Sequence, residues 1–134
     1  MENKNTETFD NLILQIKKKE EEMNGYLLHL EWIIGTISVI SFIIILLTAT
    51  YFILDYNVPL AVTLIIIAFL ILFFGVYHAL KIEKDAGYYE CRHCHHRYVP
   101  SMSAVFKAPH IGRTRYMRCP SCGKKTWQTK VLSK

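Results

Sequence analysis

Apolar residues in this chain are gathered into two unbroken blocks. Ile33 to Leu54 reads IIGTISVISFIIILLTATYFIL, 22 residues without a charge, and Val58 to Leu80 reads VPLAVTLIIIAFLILFFGVYHAL, 23 without one. At about 1.5 Å of rise per residue, each block makes a helix of roughly 33 Å, enough for a hydrocarbon core of about 30 Å. A buried core helix would need a surrounding soluble domain, and too little chain remains to build one. The pattern therefore predicts a two-helix transmembrane hairpin over 32–80, with spans at about 33–54 and 58–80. Asp55, Tyr56 and Asn57 form a tight link, where Asn57 suits an N-cap and Pro59 in the first turn sacrifices no helical hydrogen bond. Trp32 and Tyr77 are expected at one bilayer face, Tyr51 and Tyr56 at the other.

Outside the blocks the periods change. Phe9, Leu12, Ile13, Ile16, Met23, Leu27 and Leu30 keep a helical spacing, interrupted by KKKEEE at 17–22, with Thr8 or Asp10 as a possible cap. Residues 1–31 are thus expected to form a cytoplasmic amphipathic helix. A coiled coil, a membrane-surface helix and a stalk running into the first span all fit its pattern. Phe9, Ile16, Met23 and Leu30 share one heptad row, which permits self-association, although Lys19 falls on the matching d row. The acidity of this arm argues against adsorption onto anionic lipid and leaves a stalk as the expectation. After the second block, Gly87 is expected to stop the helix. Strand patterns follow at Tyr88–Glu90, Arg97–Val99, Arg115–Arg118 and Thr126–Val131.

Charge follows the same division. The 134 residues carry a formal net charge of +5. Residues 1–31 hold four Lys and seven acids, residues 32–80 hold only Asp55, and residues 81–134 hold twelve Lys/Arg and three acids. This segregation excludes a single soluble domain. Lys17, Lys18, Lys19, Lys81 and Lys84 flank the same ends of the two blocks and the hairpin loop has no cation, so the positive-inside rule puts both termini in the cytoplasm. The N-terminus is acidic and the first apolar run starts after residue 31, so the first span is read as an uncleaved anchor in the cell (inner) membrane. Neither span interior carries Asp, Glu, Lys or Arg, the residues that mark ion and proton pathways, and transport is not expected. Small residues form stripes instead. Ala61, Ala68 and Gly75 recur every seven residues with Ala79 beyond, and Gly35, Ser38 and Ser41 recur every three. They either pack the hairpin against itself or face another membrane protein or a second copy.

The chemistry lies in the tail. Cys91-Arg-His-Cys94 and Cys119-Pro-Ser-Cys122 are separated by 24 residues. Two CxxC pairs at this spacing predict one structural Zn²⁺ on Cys91, Cys94, Cys119 and Cys122, each pair closing a tight knuckle whose amides point at the sulfurs. A tail of about 45 residues has little core, so metal binding would supply much of its folding free energy. His93, His95, His96 or His110 could replace a ligand or add a second metal, but two complete pairs already fill a tetrahedron. Nothing suggests a thioredoxin-like βαβ unit around either pair, and a cytoplasmic location disfavours disulfides.

Cys-Pro-Ser-Cys-Gly-Lys resembles the second knuckle of zinc-ribbon (rubredoxin-like) domains, and Tyr-Glu-Cys-Arg-His-Cys resembles a first knuckle. The resemblance covers about 88–132 and implies two β-hairpins clamping the zinc, often with a third strand. The whole chain resembles the two-span zinc-ribbon membrane proteins of bacteria, a likeness that assigns no activity. The expected fold class is a membrane α-helical hairpin with an N-terminal amphipathic helix and a small C-terminal β zinc ribbon at 87–134.

What the ribbon touches is left open by the residues. Arg92, Arg97, Arg113, Arg115, Arg118, Lys124 and Lys125 are the candidate anion or nucleic-acid contacts, with Lys107, Lys130 and the aromatics Tyr98, Phe106, Tyr116 and Trp127 interleaved. The same aromatics could serve as core, and the same charge could fix topology or meet lipid headgroups. His110, Arg113 and Arg115 in APHIGRTR could form an anion site or a solvated loop. No nucleophile–base pair or phosphate-cradling loop stands out, and four cysteines leave zinc no open position, so no enzyme and no small-molecule substrate are expected. The expectation is a membrane-anchored adaptor or regulatory subunit binding a protein partner at the cytoplasmic face. The alternatives are a membrane-tethered nucleic-acid binder and an accessory subunit of a larger membrane complex that packs, or self-associates, through Ala61, Ala68, Gly75 and Ala79.

Overall fold

The computed structural model describes residues 2–134, with side chains from residue 7 onward. Helix α1 runs unbroken over Glu2–Leu54 and α2 over Val58–Asp85; β1 (Tyr88–Cys91), β2 (Arg97–Tyr98), α3 (Met102–Lys107), β3 (His110–Ile111), β4 (Thr114–Arg118) and β5 (Lys125–Val131) follow. Two compact units result. One is His29–Ile82; the other joins the chain up to Leu28 with Glu83–Lys134.

The first unit holds the apolar parts of α1 and α2. Both helices are long and apolar enough to cross a membrane, and their most apolar windows are only 11% and 17% buried. Burial falls on small residues: Ser38, Ala49, Ala61, Ala68 and Gly75 are buried, while Ala79 is half-buried. A Cβ at Gly75 would overlap the Ser38 side chain, so the two helices approach closely there. Phe42 meets Phe69 edge-on at 5.3 Å. The hydroxyls of Ser38, Thr48 and Thr63 each donate to the carbonyl four residues back, at 2.7, 2.9 and 2.9 Å, which satisfies these polar groups within their own helix. Between the helices Asn57 accepts from the Ala61 amide at 3.2 Å and so begins α2.

The second unit is built on an antiparallel sheet of order β2-β1-β5-β4-β3. The register is Tyr88↔Val131 to Cys91↔Gln128 between β1 and β5, and Thr114↔Thr129 to Arg118↔Lys125 between β4 and β5. This register gives the sheet two unlike ends. At one end β1 starts beside the end of β5, two residues after α2 stops. At the other lie Cys91, Cys119 and the turns that follow them.

Gly87 makes the join between α2 and β1. Its φ is +80°, and an added Cβ would run into the Val131 carbonyl, so glycine is required for both conformation and space. The N-terminal arm docks on the same end. The buried Asn24 amide donates to the Leu132 carbonyl at 2.6 Å and the Ser133 hydroxyl to Glu21 at 2.8 Å. A hydrogen bond to Glu20 raises the pKa of Tyr88. The arm therefore turns Glu20, Asn24, Leu27 and Leu28 inward, while the heptad row Phe9, Ile16, Met23 and Leu30 is exposed.

Two elements had no counterpart in the strand pattern. Helix α3 is capped by Ser101, whose hydroxyl accepts from the Ala104 amide at 3.3 Å, and it buries Val105. Strand β3 forms a hairpin with β4 through Gly112, at φ +58°.

Candidate metal centre and its surroundings

Cys91 ends β1 and Cys119 follows β4, and the two knuckles repeat one backbone geometry. In the first, the His95 amide donates to the Cys91 carbonyl at 2.9 Å and the Cys91 amide to the His96 carbonyl at 3.1 Å. In the second, Gly123 donates to Cys119 at 3.0 Å and Cys119 to Lys124 at 3.0 Å. The fourth residue after the leading cysteine is left-handed in both, His95 at φ +56° and Gly123 at φ +69°. His95 thus occupies the position that glycine fills in the second knuckle, and its ring Nδ1 lies 3.1 Å from Glu90.

The knuckles bring all four sulfurs within 4.8 Å of one another. Cys91–Cys122 is 3.8 Å and Cys94–Cys119 is 3.6 Å, and no disulfide forms. A tetrahedral ion with bonds of about 2.3 Å to sulfur requires sulfur–sulfur edges of about 3.8 Å. The donor set therefore fits a tetrahedral ion of the zinc or iron type.

The surroundings favour thiolate at Cys91 and oppose it at Cys94. Burial works to raise the Cys91 pKa, but the Cys94 and His93 amides and the Thr126 hydroxyl outweigh it and hold the thiol at about 5. At Cys94 the His96 amide favours thiolate, yet burial and the neighbouring thiols lift it to about 11. Tyr98 is pushed up to about 12 by burial and then by the cysteine sulfurs, and its hydroxyl reaches the Arg118 carbonyl at 3.5 Å. None of the four histidines considered as ligands belongs to the cluster; His93 lies against Lys124, 2.6 Å away.

The candidate contact residues separate. Arg92, Arg97, Arg113, Arg118, Lys124 and Lys125 are exposed. Arg97 is held by Glu90 at 2.6 Å and donates to the Ser133 carbonyl at 3.0 Å. Arg92, Arg118, Lys124 and Lys125 cluster by sequence and register on the knuckle end.

Arg115 is not a surface cation. It is 3% exposed and its guanidinium grips both carboxylate oxygens of Glu83, the Tyr89 hydroxyl at 3.2 Å and the Val105 carbonyl at 2.9 Å. It therefore does not join His110 and Arg113 in an anion site. Burial works to lower the Arg115 pKa, but the bonds and charge of Glu83 raise it, and burial and the adjacent carboxylate raise that of Tyr89. The Lys130 ammonium contacts the Glu83 carbonyl and lies 4.4 Å above the Tyr89 ring. This polar knot ties the last turn of α2 to β1, β4, β5 and α3. A period-two reading of β4 held the signal, because Arg115 and Met117 share the inward face and Tyr116 and Arg118 the outward one.

Comparison with known families, with curated proteins and with solved structures finds no match to this chain.

Proposed function

We propose that the chain is a two-span membrane protein of the bacterial inner-membrane type, with both termini cytoplasmic and its tail a zinc ribbon. One structural Zn²⁺ on Cys91, Cys94, Cys119 and Cys122 would staple the two knuckles and do no chemistry. The membrane reading is supported by two apolar helices whose most apolar windows are only 11% and 17% buried. The function we infer is binding: a membrane-anchored adaptor whose metal end docks an acidic surface of a protein partner.

One observation carries this reading. From Cys91 to Lys134 the chain contains no Asp or Glu, and four exposed cations crowd the knuckle end of the sheet. Such a field attracts an acidic partner. At the knuckle end the nucleic-acid alternative is less well served, since bases need open aromatic faces to stack on and the exposed Phe106 lies on α3, away from the knuckles. Tyr116 and Trp127 pack on each other at 5.5 Å, and His96 stacks on Tyr98 at 6.0 Å.

The test uses the full chain, zinc-loaded, in lipid nanodiscs, and in cells carrying a photocrosslinking residue at Arg92 or Lys124. Crosslinks to a discrete protein, lost when Arg118 and Lys125 are reversed to Glu, are the expected result. Tight binding of labelled single- or double-stranded nucleic acid by the nanodisc sample, falling steeply with salt, would replace the adaptor reading with the nucleic-acid one.

A further inference from the structure

The opposite end of the sheet carries a second surface. The tail buries Tyr89, Val105 and Met117, yet Phe106 is 72% and Ile111 70% exposed, more than any other large apolar side chain in the tail among the described residues. Phe106 ends the outward face of α3 beside Lys107; Ile111 stands at the β3–β4 turn between His110 and Arg113. Two bare apolar side chains framed by cations, with no acid anywhere after Glu90, are complementary to a surface that is apolar beneath and anionic above.

The polar knot places this edge. Arg115 holds the Glu83 carboxylate and the Val105 carbonyl with one guanidinium, so the residue before Phe106 is pinned to the last turn of α2. Glu83 comes three residues after Leu80, the end of the apolar run, which is roughly 4.5 Å of helix rise. A span ending at Leu80 leaves Glu83 within one helical turn of the headgroup layer by chain continuity, and the Arg115 guanidinium keeps α3 at Glu83.

We propose that Phe106, Lys107, Ile111 and Arg113 form a foot that rests in the headgroup layer of the bilayer holding α2, with anionic lipid as its occupant. The foot rests on the membrane reading above. It leaves the knuckle end, at the other end of β4, for the protein partner.

Two single-tryptophan forms of the full chain, zinc-loaded in nanodiscs, separate the two ideas. One carries Trp127→Phe and keeps Trp32, at the edge of the first apolar block. The other carries Phe106→Trp with Trp32→Phe and Trp127→Phe. One zinc per chain reports that each is folded. In phosphatidylglycerol-rich discs the indole introduced at 106 should be quenched by acyl-brominated lipid and shielded from acrylamide. Adding Lys107→Glu and Arg113→Glu, or using pure phosphatidylcholine, should weaken docking by about fivefold per cation lost. An introduced indole that acrylamide reaches equally in all discs and brominated lipid never quenches, while Trp32 is quenched, overturns the foot and leaves the edge to a protein. A Trp32 that brominated lipid does not quench overturns the membrane reading, and the foot with it.

Discussion

The sharpest consequence of the structure concerns Arg115. Arg115→Met keeps most of the side chain's length and apolar stem and removes the guanidinium. Both Glu83 oxygens, the Tyr89 hydroxyl and the Val105 carbonyl then lose a donor. Glu83 is 5% exposed and would keep only the Tyr89 hydroxyl, at 2.8 Å, on its carboxylate. Removing one partner of a buried ion pair costs about 3–5 kcal/mol, most of it the uncompensated charge left behind. At about 1.4 kcal/mol per factor of ten, the opening equilibrium of the tail rises by roughly two to three and a half orders of magnitude. Amide hydrogen exchange on the zinc-loaded full chain measures this at Tyr116, Met117 and Gln128, which lie in β4 and β5. Glu83→Leu combined with Arg115→Met should recover much of the loss, because two apolar side chains replace a pair without burying a charge. Arg113→Met, two residues away and exposed, should leave exchange unchanged. An acceleration of less than about tenfold in Arg115→Met would refute the knot as a structural element, and a double variant no better than the single would show that packing, not charge, was lost.

Further outcomes follow from the knuckles and the helix pair. Cys119→Ser replaces a buried sulfur 3.6 Å from Cys94 with a hydroxyl that stays protonated, and native mass spectrometry should find no metal on the chain; a retained ion would refute the four-sulfur site. His95→Gly relieves a left-handed conformation that costs a side-chain-bearing residue about 1–2 kcal/mol, so metal content should hold and the unfolding midpoint should hold or rise. Metal loss in that variant would make the imidazole a ligand. Gly75→Leu forces a side chain into Ser38 and should destabilise the helix pair in detergent by about 1–3 kcal/mol, read as a lower thermal midpoint; an unchanged midpoint would mean that the helices do not meet there.

The parts of the fold legible in the sequence are those whose signal is local. Twenty or more uncharged residues in a row declare a long apolar helix, and a CxxC pair declares a knuckle, because each meaning is contained in a few adjacent residues. Asn57 and Gly87 were readable for the same reason, as a start and a stop. Helix α3 has six residues and β3 two, too short for either period to emerge. Arg115 and Arg113 look alike in sequence, and only a partner 32 residues away separates them. His95 conceals the symmetry of the knuckles, since the left-handed position that Gly123 announces is filled by a residue that suggests a ligand. The docking of Asn24 on Leu132, 108 residues apart, has no local signature at all.

These long-range contacts bear on how so small a sheet persists. A tail of about 50 residues buries too little apolar surface to be stable by its core alone. Its core consists of a few side chains, Tyr89, Val105 and Met117 with the two buried cysteines, and one of its central residues is the polar Gln128. Two sources of stability therefore act at opposite ends of the same strands. The four sulfurs close the far ends of β1 and β4, and a bound ion would make that closure rigid. Arg115, Tyr89 and Lys130 close the near side onto the last turn of α2, with Asn24 and Glu21 adding the N-terminal arm. Neither substitutes for the other. A metal at the knuckles cannot satisfy the Glu83 carboxylate, and the knot does nothing to hold four thiolates together. Each end of the sheet is thus fixed by its own chemistry, and β1 and β5 run between them.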